Sequence, residues 1–402
     1  MSKNQGGESA PAGARQHLHG ARQHLHGAHQ HPHSAHQDLH SEHGGLRSEH
    51  PGRARNPVIK VADLAWLEFQ KPDLERAAVF AQDFGFSVAA RTPDSLWLRG
   101  TFEGGACVVI RRGDTSRFVG PVFRAAERAD LDRLAHATGR DVQLSDAPEG
   151  GAVVCLPDPS GFAVKVAAPA GSLPALPGQQ ALPLNFGTAR PRVNATQRPV
   201  REPSRIQRLG HVVLETTDFT RALDWYLETL GMIVSDFLFL DGQRERGPTM
   251  AFLRCDQGSE AVDHHTLAMH LGPGTGYVHS AYQVADLDAI AAGGAYLAER
   301  GYRRSWGIGR HIQGSQLFDY WRDPDRLMLE HFADGDLFSS DVEPGWAPMS
   351  ASGLAQWGPP VTRDFLGANP SPAKLRTVLG ALRGDNELDA SRLLSLMKAM
   401  NS

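Results

Sequence analysis

The chain has 402 residues, which is enough for two domains of ordinary size because a single hydrophobic core rarely grows beyond about 250 to 300 residues. Its 41 basic and 45 acidic side chains give a formal net charge of −4, which does not fit a nucleic-acid-binding protein, whose binding face is basic. No segment approaches the roughly 20 apolar residues of a membrane span and the first 50 residues lack the apolar core of a signal peptide, so we expect a cytoplasmic protein without nucleic-acid or membrane partners.

A histidine-rich repeat occupies the start of the chain. Residues 14–20 read ARQHLHG, residues 21–27 repeat this sequence, and two looser copies follow over residues 28–41. A coiled coil needs two apolar positions per heptad, whereas these copies hold at most one leucine beside glycine or proline. Residues 1–56 are therefore predicted to be a disordered tail, and we expect its histidine pairs to bind nickel, zinc or copper weakly.

A proline-rich segment divides the rest of the chain. Over residues 169–203, prolines alternate with glycine, serine, arginine and glutamine without an apolar period, which is typical of a linker. It separates a predicted N-terminal domain over residues 57–168 from a predicted C-terminal domain over residues 204–340. A C-terminal extension over residues 341–402 follows, and we expect part of it to pack over a sheet or at a subunit contact.

The two domains repeat one another. Residues 64–77 align without gaps with residues 209–222, and in both segments a strand-like run leads into an aspartate, Asp73 or Asp218, that can cap a helix. The helix after Asp218 is predicted to have an apolar face made of Phe219, Ala222, Leu223, Tyr226, Leu227 and Leu230. Gly231 follows this face and is a typical helix stop.

A second pair of similar segments lies inside each domain. Residues 118–132 resemble residues 277–288, and residues 158–165 align with residues 323–330. A strand, a capped helix and several further strands therefore occur four times along the chain. This pattern predicts an α+β fold that is built from four βαβββ modules in two tandem domains.

Three residues of the C-terminal domain form a candidate metal-ligand set. His211, His279 and Glu330 each lie in the middle of a strand-like run. Two imidazoles and one carboxylate make the facial triad that holds iron(II) and leaves positions open for other ligands. Successive side chains of a strand point to opposite faces, so His331 is predicted to point away from Glu330 and is not taken as a ligand.

The N-terminal domain lacks all three ligand types at the matching positions. Trp66, Gly120 and Lys165 stand where the second domain has its two histidines and its glutamate. A single histidine on a strand is more often a hydrogen-bonded core residue than a ligand. Because the three ligand types are absent together from one copy, the sequence predicts a single metal site, in the second domain only.

The segments around these ligands resemble the type I extradiol ring-cleavage dioxygenases, which are catechol 2,3-dioxygenase-like members of the vicinal oxygen chelate or glyoxalase/bleomycin resistance superfamily. Residues 210–214 (GHVVL), 276–279 (GYVH) and 319–330, from DYWRDP to the ligand glutamate, are similar to the family's three ligand segments in the same order. The resemblance covers about residues 57–340. It implies an open, barrel-like mixed sheet in each domain, an N-terminal domain without metal, and a cofactor that is Fe(2+), with Mn(2+) as the alternative.

The resemblance also implies catalytic helper residues. The family's acid/base histidine precedes the second ligand by about fifteen residues, which favours His264, with the neighbouring His265 as the alternative. A further histidine of the family follows the second ligand and corresponds to His311, and a tyrosine ten residues before the carboxylate ligand corresponds to Tyr320. His264 is expected to transfer a proton, and His311 and Tyr320 to donate hydrogen bonds to a bound substrate oxygen.

The resemblance implies an iron(II)-dependent extradiol dioxygenase that inserts both atoms of O2 into a catechol-type diol, with meta cleavage to a semialdehyde or keto acid. It also implies a homo-oligomer. Two alternatives stay open. A glyoxalase-like isomerase or transferase of the same superfamily typically needs a fourth protein ligand, which the first domain does not offer. A small-molecule binding protein of the bleomycin-resistance type needs no metal, which would leave the triad unexplained. The ring substituents are not predictable from the sequence, because pocket shape sets them.

Overall fold

Four copies of one βαβββ arrangement build the two halves of the protein. The computed structural model describes residues 50–369 and 371–401. The first module consists of β1 (Val61–Lys71), α1 (Leu74–Phe84), β2 (Ser87–Arg91), β3 (Ser95–Arg99) and β4 (Val108–Arg112). The second consists of β5 (Arg117–Ala125), α2 (Ala129–Thr138), β6 (Val142–Leu144), β7 (Gly151–Pro157) and β8 (Ala163–Pro169).

The second half repeats this order and continues into the C-terminal extension. The third module consists of β9 (Arg208–Thr216), α3 (Phe219–Leu230), β10 (Met232–Phe239), β11 (Met250–Cys255), the short β12 (Val262–Asp263) and β13 (Leu267–Leu271). The fourth consists of β14 (Gly276–Gln283), α4 (Leu287–Glu299), β15 (Arg303–His311), β16 (Leu317–Arg322) and β17 (Met328–Ala333). After them come β18 (Leu337–Phe338), β19 (Gly345–Pro348), β20 (Ala355–Trp357), α5 (Pro372–Ala381) and α6 (Ala390–Ala399).

Each half forms one open mixed sheet. The strand order is β2-β3-β4-β1-β5-β8-β7-β6 in the first half and β19-β10-β11-β13-β9-β14-β17-β16-β15-β20 in the second. Within every module the first strand pairs in parallel with the last, and the two modules of a half meet through an antiparallel pair, β1 with β5 and β9 with β14. The predicted α+β fold with four modules and open mixed sheets is confirmed.

The predicted helix α3 has the expected apolar face, but its expected cap is wrong. All six predicted face residues are buried, and Gly231 ends the helix in the left-handed region at φ 64°. Asp73 caps α1 by accepting a hydrogen bond from the Arg76 amide, whereas Asp218 makes no such bond. The physical reason lies in the extension, where Glu387 Oε1 accepts the Thr220 amide at 2.6 Å and so satisfies that free donor.

Buried polar contacts join the two halves at equivalent Asp-Pro turns. In the first half, Asp158 accepts a hydrogen bond from the Tyr226 hydroxyl at 3.1 Å. In the second half, Asp323 forms an ion pair with Lys71, and their side chains are 2% and 4% exposed. His331 faces away from the metal-ligand side of β17, as predicted, and its Nε2 donates to the Phe84 carbonyl at 2.8 Å. Because these contacts are buried, each half fixes a turn or strand of the other.

The segment just before the predicted first domain packs on the second half. Gly52 accepts a hydrogen bond from the Val234 amide at 2.8 Å, and Arg53 donates to the Ser340 carbonyl at 2.5 Å. Residues 50–56, which the sequence assigned to the tail, are therefore docked, and residues 1–49 of the predicted tail lie outside the described residues. The domain boundaries within the chain stay predictions. Over the described residues, no helix has the length and apolar character needed to cross a membrane.

Candidate metal centre

The three candidate ligands lie on neighbouring strands in the middle of the second sheet. β9 carries His211 and pairs antiparallel with β14, which carries His279; β14 pairs in parallel with β17, which carries Glu330. Ala281 of β14 is the register partner of both His211 and Glu330, so the two outer ligands flank one small side chain. A register shift between Tyr277 and His279 interrupts the regular pairing at the middle ligand. The predicted triad is thus brought together on one face of rigid strands.

One carboxylate oxygen lies between the two imidazoles. Nε2 of His211 and Nε2 of His279 are each 3.3 Å from Oε2 of Glu330. The ligand atoms of the three residues all lie within 4.8 Å of one another, and all three residues are buried. Three donor atoms that converge from three strands can bind one face of a metal ion and leave the opposite face open.

The polar atoms of this group lack hydrogen-bond partners within the part of the chain that the structure describes. Neither oxygen of Glu330 and neither Nδ1 of His211 and His279 has one. Burial raises the pKa of Glu330, but His211 and His279 outweigh it and hold that pKa well below its ordinary value. Burial lowers the pKa of His279 to about 4, although Glu330 opposes this shift. A buried carboxylate without hydrogen-bond donors, next to two imidazole nitrogens, fits a divalent metal.

His311 and Tyr320 form a hydrogen-bonded pair beside the carboxylate ligand. Nε2 of His311 lies 2.7 Å from the Tyr320 hydroxyl and 3.9 Å from Oε1 of Glu330. Nδ1 of His311 lies 2.8 Å from the Leu354 carbonyl, which can only accept, so Nδ1 carries the proton of the neutral ring. Nε2 then accepts from Tyr320. Burial lowers the pKa of His311 against the pull of Glu330, and burial with Glu330 raises the pKa of Tyr320 well above its usual value.

His265, rather than His264, faces the metal ligands. The His265 ring centroid is 4.0 Å from that of His211, and burial followed by the neighbouring His211 lowers the pKa of His265 well below its ordinary value. Both ring nitrogens of His264 are occupied: Nε2 lies 2.7 Å from Asp236 Oδ2, and Nδ1 lies 3.1 Å from Nδ1 of His265. The ring of the alternative residue, His265, therefore lies next to the ligand His211, and the ring of the preferred residue, His264, lies between His265 and Asp236.

The region that carries the three candidate ligands matches a known protein family. Residues 208–331 match the model of the Glyoxalase/Bleomycin resistance protein/Dioxygenase superfamily. Residues 208–331 form a domain of this superfamily. The expected superfamily relation is thereby confirmed for residues 208–331, which hold the triad.

Two curated relatives have sequences similar to part of this chain. The chain is 35% identical to Metapyrocatechase 2 of Cupriavidus necator over 161 residues, which are 40% of this chain and 47% of that protein. It is 26% identical to an iron-dependent extradiol dioxygenase of Rhodococcus jostii (strain RHA1) over 159 residues, which are 38% of this chain and 50% of that protein. The chain spans about half the length of these relatives.

A solved structure extends the likeness to both halves. The Mn(II)-bound glyoxalase from Novosphingobium aromaticivorans superposes with a TM-score of 0.62 and 21% sequence identity, covering 83% of this chain and 99% of that chain. At this identity the likeness shows the fold alone. Both halves thus share the fold of that structure.

An ion pair and aromatic packing occupy the matching place in the first half. Lys165 Nζ donates to Glu68 Oε2 at 2.7 Å, and the Trp66 indole donates to Glu68 Oε1 at 3.2 Å. A Cβ at Gly120 would lie 2.2 Å from the Ala163 carbonyl oxygen, so only glycine fits there. The Lys165 ammonium places a positive charge next to Glu68, as a metal ion would next to a carboxylate ligand. The first half therefore balances this carboxylate without a metal.

Two parts of the site were not predicted from the sequence. Asp236, which contacts His264, is the only charged residue in the strand MIVSDFLF, and a single carboxylate in a mostly buried strand is a usable signal. The second part is the extension, whose Leu354 carbonyl binds His311 and whose Phe365 ring lies 6.3 Å from that of His279. No local pattern identifies this part, because a backbone carbonyl and a distant ring reach the site only through the fold.

Proposed function

We propose that this protein is a metal-dependent extradiol dioxygenase that cleaves the ring of a catechol-type diol beside its two hydroxyl groups and inserts both atoms of O2. The observation that carries this proposal is the buried set of His211, His279 and Glu330 with proton-handling groups on two sides, His265 on one and the pair of His311 and Tyr320 on the other. Two similar proteins, Metapyrocatechase 2 and an iron-dependent extradiol dioxygenase, are named for the same chemistry, which supports the proposal.

Iron(II) is the metal that we propose, with manganese(II) as the alternative. Two histidines and a carboxylate are the donor set of non-haem iron(II) oxygenases, but the set discriminates poorly between these two ions. One relative is named iron-dependent, and the glyoxalase of similar fold was solved with Mn(II). When bound, the metal supplies a Lewis acid that favours the anionic form of a diol and open positions for the diol and O2.

His265 is proposed as the acid/base residue, and Asp236 and His264 as the residues that orient it. The Asp236 carboxylate accepts the Nε2 proton of His264, which leaves Nδ1 of His264 free to accept from Nδ1 of His265. Nε2 of His265 is then unprotonated. It can take a proton from a diol hydroxyl and return it to oxygen later in the reaction.

Tyr320 is proposed to stabilise negative charge on a diol oxygen, and His311 to position the Tyr320 hydroxyl. Burial, followed by the nearby Glu330, raises the pKa of Tyr320 well above its usual value, so its hydroxyl keeps its proton and stays a donor. That hydroxyl currently donates to His311 Nε2, and it can turn to a substrate oxygen that carries more charge than the imidazole nitrogen. The hydrogen bond from Nδ1 of His311 to the Leu354 carbonyl holds the His311 ring in place when the Tyr320 hydroxyl turns.

The two rival functions fit the site less well. A glyoxalase-like isomerase typically has a fourth protein ligand, whereas the matching places of the first half hold Trp66, Gly120 and a lysine that is paired with Glu68. A binding protein of the bleomycin-resistance type has no use for a buried Glu330 without hydrogen-bond donors, since such a carboxylate costs free energy unless a cation is bound.

The test combines activity with matched glutamate variants. Full-length protein is loaded with iron(II) without oxygen, mixed with a panel of catechols, and exposed to air in an oxygen electrode. We expect one O2 consumed per diol and a yellow ring-opened product. Glu330→Gln should abolish activity and reduce bound iron, while Glu215→Gln, a change on the strand of His211, should retain both. No oxygen uptake across the panel with iron bound, or full activity of Glu330→Gln, contradicts the proposal.

A further inference from the structure

Apolar side chains flank the metal ligands on two sides. On the side of His265 lies a buried cluster of Val213, Leu238, Phe252 and Ala268, in which Phe252 has its ring centroid 5.1 Å from that of His265. We call this the Phe252 cluster. On the side of Tyr320 lies a buried cluster of Trp306, Phe318, Tyr320 and Met328, which we call the Trp306 cluster. Val278, the residue before the ligand His279, packs against both clusters, so the two walls meet at the metal ligands.

The C-terminal extension adds apolar side chains to both walls. Met349 packs against the Phe252 cluster, and Phe365 packs against the Trp306 cluster. The ring of Phe365 has its centroid 4.7 Å from that of Trp306 and 4.7 Å from that of Tyr320. The extension therefore completes an apolar surround for a group that is bound at the metal.

An ion-paired carboxylate fixes this part of the extension. Asp364, the residue before Phe365, accepts a hydrogen bond from Ser305 Oγ at 2.6 Å. It also pairs with Arg322 at 3.0 Å and with Arg303 at 2.8 Å. Because these partners lie on or at the start of strands β15 and β16, Phe365 is held against the sheet.

Three arginines that flank the ligands and the Phe252 cluster are committed to protein acceptors. Arg208, three residues before the first ligand, forms two hydrogen bonds with the Asp263 carboxylate, at 2.6 and 2.8 Å. Arg310, next to His311, donates to Asp334 at 2.8 Å. Arg254 lies two residues beyond Phe252 on β11. Its terminal nitrogens donate to Val234 O, Ser235 Oγ, Ser339 O and Val342 O.

Lysine is absent from this part of the sequence. No lysine occurs between Lys165 and Lys374, a stretch that contains every module strand of the second half. A carboxylate on a bound diol would therefore enter apolar walls beside arginines that already have partners, and a buried unpaired charge is strongly unfavourable. An alkyl or aryl group in the same place would replace water at apolar surface, which is favourable.

We propose that the diol taken by this site carries an uncharged, apolar ring substituent, an alkyl or aryl group, and that carboxylated catechols are excluded. This inference rests on the proposed function, since it names the substrate class of the same site. Trp306 and Phe252 form its opposite walls, and Phe365 determines how the substituent is covered.

The test compares diols that differ in charge but have similar shape. 4-Propylcatechol is paired with 3,4-dihydroxyphenylacetate, and 3-propylcatechol with 2,3-dihydroxyphenylacetate, so that ring position is matched. Binding to the anaerobic iron-loaded full-length protein is measured by titration calorimetry, and ring cleavage by kcat/KM in air. We expect the better propyl isomer to bind on the order of 100-fold more tightly than its carboxylated partner. Each methylene from methyl to propyl should increase binding by about threefold or more.

Variants of the extension test the proposed wall. Phe365→Ala should weaken binding of the preferred propylcatechol by about tenfold and affect unsubstituted catechol much less, while Phe365→Leu should restore most of the loss. Leu375→Ala, a truncation of a 61% exposed side chain on α5, is the matched control and should bind as the parent does. Unchanged propylcatechol binding by a folded Phe365→Ala variant overturns the assignment of this wall.

The outcomes separate this inference from the proposed activity. Cleavage of a carboxylated diol with a kcat/KM equal to or above that of its propyl partner overturns the substrate class and leaves the dioxygenase proposal intact. Tight propylcatechol binding without ring cleavage supports the apolar substrate class and contradicts the dioxygenase proposal. Absence of binding by every diol overturns both.

Discussion

Replacing Asp236 with asparagine should slow the reaction without weakening substrate binding. Asp236 accepts from His264 at 2.7 Å, and His264 in turn meets His265 at 3.1 Å. An amide in this place accepts a weaker hydrogen bond, or turns its NH2 toward His264 and favours the opposite tautomer of both rings. Losing a hydrogen bond to a charged group costs about 1.5–3 kcal/mol, which corresponds to about a 10- to 150-fold fall in kcat. KM should change little, because Asp236 does not contact the diol.

The assay is steady-state ring cleavage with a spectroscopic measurement beside it. Asp241→Asn, a change of a largely exposed carboxylate five residues further along, is the control and should keep the parent kcat. In protein loaded with zinc, which is diamagnetic, ¹⁵N shifts should show His265 protonated at Nδ1 in the parent and at mixed positions in Asp236→Asn. The reasoning is refuted if Asp236→Asn keeps both the parent kcat and the parent tautomer while His265→Phe loses activity.

Three further predictions concern stability and the tail. Lys71→Met should lower the free energy of unfolding in denaturant by about 3–5 kcal/mol, because it leaves Asp323 buried without its cation, and a loss below about 1 kcal/mol contradicts this. Burial raises the pKa of Asp63 to about 6 against the pull of Arg208, so the stability that its protonated form contributes is present below about pH 4 and is lost as pH rises through 6. Asp63→Asn should therefore raise Tm at pH 7.5 and have little effect at pH 4. A rise in Tm at pH 4 without one at pH 7.5 would contradict this. Removing residues 1–49 should change kcat and KM by less than about twofold but release nickel or zinc that the full chain retains, whereas complete loss of activity would overturn our view of the tail.

Most of the fold could be predicted because the chain repeats one pattern four times. The helix after Asp218 shows why the pattern is reliable: its apolar face and its glycine stop follow from local spacing, and the structure has both. Its cap shows where local reasoning ends. Thr220 is capped by Glu387, which lies 167 residues away, and no local pattern can identify a partner at that distance.

The candidate site also has a part that the sequence predicts and a part that only the fold determines. His211, His279 and Glu330 could be predicted to meet because alternation along strands and comparison of the halves fix their faces, and the structure brings them within 4.8 Å. The choice between His264 and His265 could not be made, since adjacent residues differ only in the direction that the local backbone gives each side chain. Our proposal of His265 rests on the contacts of each ring, which only the folded structure supplies.

Isotopic labelling tests the central claim most directly. Iron-loaded protein, an apolar catechol and ¹⁸O2 are combined, and the ring-opened product is analysed by mass spectrometry. The proposed dioxygenase places one oxygen atom from O2 at each end of the cleaved bond, so the fresh product should gain two labelled atoms, with the aldehyde or ketone label measured before it exchanges with water. An intact-ring quinone, or an isomer of the diol without label, would contradict the assignment of this buried His-His-Glu group to extradiol cleavage.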